Sequence, residues 1–183
     1  SHPSGRENGD APFFPYMRNE ETLGRPWAIP GTKGLEHRVG GLAKAPITGN
    51  VSYEPKHHEQ MVDERAEKVA RLADVIPDLE VEGPAQGDLL VLTWGGTFGA
   101  AHTAVHRAQR KGYDVAHAHL RYLNPFPKNT ESVLRNYKRI LIPELNKGQL
   151  AFVLRGTYAI DNIITYPKLH GRPFKISEIY DKL

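Results

Sequence analysis

Two short polar turns carry the residue types suited to holding an anion. The first, TWGGTFGA at 93–100, follows an apolar run and opens a helical pattern. Gly95 and Gly96 permit a tight turn, and Thr97 is placed to cap a helix beginning near Phe98. A strand-to-helix turn of this kind exposes backbone N–H groups on which phosphate can sit. Its spacing is not G-x-G-x-x-G, and no acidic residue follows at the end of a second strand as a dinucleotide fingerprint requires. Tight strand-to-helix packing is the plainer reading of the glycines. The second turn, PELNKGQL at 143–150, brings Glu144, Asn146, Gly148 and Gln149 to the end of another apolar run. Lys147 and Gly148 stand in the order opposite to a P-loop's, and the preceding glycines are missing, so turn hydrogen bonds, caps or interface contacts are the expected role.

Other chemistries have less to stand on. Of nine histidines, His102 with His106 share a helical turn and His117 with His119 share one side of a strand. These flank an apolar stripe where half-buried imidazoles are common, and no HExxH arrangement supports them, so no metal is expected. His57 and His58 open a helix and are read as solvated. The chain has no cysteine, which removes disulfides, thiolate metal sites, Cys nucleophiles and Cys-ligated iron–sulfur clusters. No G-x-S-x-G turn exists to carry a nucleophilic serine. Lys plus Arg is 24 against Asp plus Glu of 21, a net charge of +3, too mild to call for nucleic acid. Arg107, Arg110 and Lys111 complement a helix dipole. No apolar run approaches the ~20 residues of a membrane helix, and SHPSGRENGD has no basic-then-apolar leader, so a cytoplasmic location is expected.

The elements behind these residues divide unevenly. Residues 1–58 hold half of the 14 prolines and almost half of the 17 glycines, which interrupts helices and strands every few positions. Phe13, Phe14, Tyr16, Trp27, Ile29, Leu35 and Val39 are more apolar anchors than a free linker carries. The segment is read as an arm packed on the rest of an assembly. From 59 to 76, Met61, Val62, Ala66, Val69, Ala73 and Ile76 form one stripe of an amphipathic helix ending before Pro77, with Pro55 suited to its first turn. Glu64 with Lys68 and Glu67 with Arg71 form i,i+4 pairs, each worth about 0.3 kcal/mol. PDLEVEGPAQGD reads as a turn-rich spacer. Strands are then expected at 88–94, 114–120 and 139–143, separated by helices, with weaker strand signals at 159–165 and 174–177. The succession predicts an α/β domain over 84–183 with a mainly parallel sheet.

Seven segments, taken together and in order, resemble a known family: RPWAIPGTKGLEHRVGG at 25–41, TGNVSYEP at 48–55, HHEQMVDERAEKVARLA at 57–73, TWGGTFGA, RYLNPFP at 121–127, PELNKGQL and TYPKLHGRPFKISEI at 165–179. They are similar to the C-terminal part of the alpha subunit of 2-oxoglutarate:ferredoxin oxidoreductase, a thiamine diphosphate-dependent 2-oxoacid:acceptor oxidoreductase. The resemblance implies a three-layer α/β/α domain of about five strands, one antiparallel, like the transketolase C-terminal domain, preceded by an irregular arm and one amphipathic helix. It implies a piece of a larger subunit whose holoenzyme turns a 2-oxoacid and coenzyme A into acyl-CoA, carbon dioxide and reduced ferredoxin. Thiamine diphosphate, Mg2+ and an iron–sulfur cluster would belong to that holoenzyme, with none bound to this piece. Partners would be the rest of the alpha subunit, a beta subunit and ferredoxin. No catalytic residue transfers; Gly95, Gly96, Thr97, Glu144, Asn146, Gly148 and Gln149 match the family's domain signatures as ligand or interface contacts. Glu36, His37 and Arg38 of GLEHR would approach the substrate side or serve structure alone. The competing expectation is a coenzyme A or nucleotide phosphate-binding α/β module built on the two turns.

Overall fold

One alternation organises most of the chain, for which the computed structural model describes residues 12–183. In strands β2 (Gly87–Trp94), β3 (Val115–Leu120) and β4 (Tyr137–Glu144), successive side chains point to opposite faces of a sheet. Leu90, Leu92, Ala116, Ala118, Ile140 and Ile142 pack in one core with Leu134, Leu150 and Leu154. Leu89, Val91, Val115 and Leu141 pack in another with Ala101, Ala104, Val105, Ala108 and Ile179. Both faces are covered, which is why the strands read as nearly continuous apolar runs rather than alternating ones. Helices α3 (Thr130–Arg135) and α4 (Gln149–Tyr158) supply the first layer. Helices α2 (Phe98–Gln109) and α5 (Ile176–Tyr180) supply the second. The alanines of α2 let that helix lie close to the sheet.

The sheet has five strands in the order β1-β3-β2-β4-β5. β2, β3, β4 and β5 (Ile163–Pro167) run parallel, while β1 (Val81–Glu82) pairs antiparallel with β3. The chain moves from β2 to β3 by way of α2, then crosses back over β2 through α3 to β4 and on through α4 to β5. The direction therefore reverses between β2 and β4. In an open α/β sheet the carboxyl ends of two such strands flank the crevice where ligands collect.

Two expectations need correction. Residues 174–177 are not a strand: Ile176 begins α5, whose third helical residue, Glu178, accepts a hydrogen bond from the Lys175 backbone N–H at 2.7 Å and pairs with Lys168. The spacer at 77–88 is not all turn: it contains β1, and the compact unit that holds the sheet runs Ile76–Leu183.

In the first unit, α1 runs Pro55–Ala70, starting ahead of residue 59, and a 3-10 turn continues to Asp74. Residues 1–11 of the expected arm lie outside the described residues. The remainder of the arm is tied to α1 by polar contacts. Arg18 pairs with Glu64, drawing that carboxylate away from the expected Lys68 partner, and Arg71 donates to the backbone oxygens of Glu20 and Glu21 at 2.8 and 2.7 Å. The Glu67–Arg71 pair forms at 2.9 Å. Of the stripe on α1, Met61 is buried while Val62 and Ala66 are exposed. His57 is not simply solvated, since its Nδ1 lies 2.8 Å from the Ser52 hydroxyl. Among the described residues no helix is long and apolar enough to cross a membrane.

The two-faced core sets the first prediction. Leu90 has no exposed surface, so Leu90→Ala should remove about 2–5 kcal/mol of stability. Exposed Leu145→Ala should change it by no more than about 0.5 kcal/mol. Urea titration of the two variants measures the contrast.

Candidate functional site

The crevice between the carboxyl ends of β2 and β4 receives both turns singled out in the sequence. At the β4 end, Glu144 is only 1% exposed. A buried carboxylate must be compensated by donors, and here the chain supplies them. Leu150 N–H donates to Glu144 Oε1 at 2.9 Å and Ala151 N–H to Oε2 at 3.4 Å. The Trp94 indole N–H donates to Oε1 from the end of β2 at 3.2 Å. Asn146 Oδ1 accepts from the N–H groups of Gly148 and Gln149 at 2.8 and 2.9 Å. Gly148 sits at φ +88°, in the left-handed region where glycine is favoured, so the chain can swing from β4 into α4. The leading N–H groups of α4 are thus taken up by the chain's own side chains, and the positive end of that helix dipole already faces a carboxylate. A phosphate placed there would meet Glu144.

The β2 end differs. Gly95 adopts φ +56°, and a side chain at Gly95, Gly96 or Gly99 would meet nothing within 4 Å. Close packing therefore does not account for these glycines; a left-handed turn at Gly95 and an open surface do. Thr97 does not cap α2 as expected. Its hydroxyl donates to the Trp94 backbone oxygen at 2.8 Å, closing the turn instead. The structure thus joins Glu144, Asn146, Gly148 and Gln149 in one hydrogen-bonded corner. Trp94, which the sequence reading passed over, connects that corner to the Gly95–Thr97 turn. The GLEHR residues belong to the first unit, where His37 Nδ1 lies 2.8 Å from the Leu35 oxygen and its ring meets Phe13.

A second polar group lies on the α2 face of the sheet. The register of β2 against β3 pairs Val91 with His117 and Thr93 with His119, placing Thr93, His117 and His119 on one face. Thr93 Oγ1 lies 2.9 Å from His117 Nε2 and 2.8 Å from His119 Nδ1. Burial pushes His117 down to about 4 against the pull of Glu82, leaving it neutral near pH 7. Burial also lowers His119, with Arg121 adding to the effect. The hydroxyl of Thr93 inside an apolar run was the signal available in the sequence for this group.

Residues 87–179 match the pyruvate:ferredoxin oxidoreductase core domain II, a span that covers β2 through α5. The chain belongs to that family. Relatives of this core domain II chain include the 2-oxoglutarate oxidoreductase subunit KorA of Mycobacterium tuberculosis, 51% identical over 92% of the chain and 25% of that protein. The 2-oxoglutarate synthase subunit KorA of Methanothermobacter thermautotrophicus is 25% identical over 93% of the chain and 46% of its own length. In three dimensions the chain is similar to a 2-oxoglutarate:ferredoxin oxidoreductase from Magnetococcus marinus solved with 2-oxoglutarate, coenzyme A and succinyl-CoA bound. The TM-score is 0.83 and the identity 30%, covering 96% of this chain and 31% of that one. The chain spans less than half the length of each of these relatives. The α/β architecture with one antiparallel strand, anticipated from the resemblance, is the one found.

The Glu144 corner makes a direct prediction for this core domain II. Glu144→Ala leaves buried N–H groups without acceptors and should cost about 1–3 kcal/mol in urea unfolding. In a Trp27→Phe background, where Trp94 is the remaining tryptophan, the emission maximum should also move, while exposed Gln149→Ala leaves both measurements unchanged.

Proposed function

We propose that this chain is the C-terminal, non-catalytic assembly part of the alpha subunit of a thiamine diphosphate-dependent 2-oxoglutarate:ferredoxin oxidoreductase. The holoenzyme would convert 2-oxoglutarate and coenzyme A into succinyl-CoA, carbon dioxide and reduced ferredoxin. The observation that carries the non-catalytic reading is the Glu144 corner. At the place where an α/β sheet ordinarily receives a ligand, the donors of α4 and the indole of Trp94 are spent on the chain's own carboxylate. The 51% identity to the KorA subunit along nearly the whole chain supports the substrate class.

The holoenzyme's cofactors do not fit the residues seen here. The chain has no thiolate for an iron–sulfur cluster, and the N-terminus of α4 is closed to a diphosphate by Glu144. In this reading those groups reside in the rest of the alpha subunit and in a beta subunit. Surface composition supports a docking role: Trp27, Tyr53 and Phe152 are 67%, 84% and 78% exposed, an unfavourable arrangement for large apolar side chains unless a partner covers them.

One observation favours the second reading, a coenzyme A or nucleotide phosphate module. The N-terminus of α2 has no side-chain cap, and the space over Gly95 and Gly96 is open. Two measurements separate the readings. The chain by itself, given thiamine diphosphate, Mg2+, coenzyme A and 2-oxoglutarate, should reduce no viologen dye, and turnover without partner subunits would overturn the assembly reading. Calorimetric titration with coenzyme A should give no heat up to millimolar ligand, whereas a Kd near 1 μM, about −8 kcal/mol, would select the binding module.

A further inference from the structure

The proposed function leaves one group of side chains in the second unit without a role. Glu82 on β1 stands opposite His117 on β3 in the antiparallel register, so both project to the α2 face. His102 and His106 stand one helical turn apart on α2, beside its buried alanines. The three elements bring Glu82 Oε2 to 3.1 Å from His102 Nε2, 3.4 Å from His106 Nε2 and 3.6 Å from His117 Nδ1. Around zinc, whose bonds to nitrogen and oxygen are about 2.0–2.1 Å, the edge of a coordination tetrahedron is about 3.3 Å. The observed separations bracket that edge.

Two atoms of the group are buried without any hydrogen-bond partner: Glu82 Oε2 and His117 Nδ1. His102 Nε2 and His106 Nε2 are close to the carboxylate oxygen without a hydrogen bond to it, which is the arrangement of donors that share an ion between them rather than bond to one another. His117 is 1% exposed, so its idle Nδ1 cannot be attributed to bulk water. Its other nitrogen lies 2.9 Å from Thr93 Oγ1, whose hydroxyl is in turn 2.8 Å from His119 Nδ1. A proton on His117 Nε2, donated to Thr93, turns the Nδ1 lone pair toward Glu82. Metal-binding histidines are commonly oriented by such an outer hydrogen bond.

We propose that Glu82, His102 and His106, whose ligand atoms lie within 4.8 Å of one another, bind a divalent transition metal of the zinc class, with the buried His117 standing beside Glu82. Imidazole and carboxylate donors without thiolate suit Zn2+, Co2+ or Ni2+ and not a soft ion. The ion would fasten two-residue β1 to α2, and the site stands whether or not the chain is an assembly domain of the oxidoreductase.

The test is titration of the intact 183-residue chain, freed of metal by chelator, with Zn2+ in a calorimeter and with Co2+ in a spectrophotometer. Expected are one zinc per chain at a Kd of about 1 μM or tighter and the visible absorption of four-coordinate cobalt. His106→Gln, at a half-exposed position that spares the core, should weaken zinc binding by at least about tenfold, judged beside unchanged far-UV circular dichroism. His170→Gln, in the same unit but outside the cluster, should bind as the unaltered chain does. No zinc heat, or equal affinity in His106→Gln and the unaltered chain, overturns the site.

Discussion

A carboxylate held out of water at the end of β4 governs the centre of the second unit. Glu144 could not remain there unpaired, because an isolated buried charge costs several kcal/mol or more. Its oxygens are met by two backbone N–H groups of α4 and by the Trp94 indole. One residue thereby fixes where α4 starts, how β4 turns into it and where the tip of β2 ends. Gly148 fits between them because its backbone is left-handed, at φ +88°, where a side chain would be strained. Rigidity at the switch point is obtained with the same donors that would otherwise bind a ligand, and the proposed assembly role rests on this.

The two faces of the sheet then differ in character. The face under α3 and α4 is almost wholly apolar, built on Leu90, Leu92, Ile140 and Ile142. The face under α2 is apolar toward β4 but turns polar toward the β1 edge, where Thr93, His117, His119 and Glu82 follow from the alternation of the strands and the register between them. A neutral His117 is compatible with this dry setting, since burial holds its protonation well below the ordinary histidine range. The polarity is therefore placed by sheet geometry and is not scattered.

Much of this was legible in the sequence. Strands at 88–94, 114–120 and 139–143 announced themselves as apolar runs because helices cover both of their faces, and the structure moves their ends by no more than two residues in β2, β3 and β4. Glu144 and Asn146 were recognisable as turn and cap residues from their place after a strand. Val81 and Glu82 were not recognisable as a strand, since two residues show no periodicity and their pairing depends entirely on β3. The histidine pairs were visible and set aside as half-buried imidazoles, and the carboxylate that joins them stayed hidden because it came from that unrecognised strand. Lys175 and Ile176 looked extended because their helix is short and depends on Glu178 for its start. Thr97 illustrates a local ambiguity, as one hydroxyl can serve either a helix cap or a turn carbonyl and the backbone at Gly95 selected the latter.

The borders of the sheet carry a further consequence. On one side β1 offers a neighbour only two residues of unpaired backbone, and on the other β5 closes with Pro167, which has no N–H to give. Strand addition, the route by which many proteins capture an extended peptide or join edge to edge, is therefore poorly served at either margin. A partner of this unit would have to grip helices and loops, and the sheet's own margins give little purchase for runaway lateral growth.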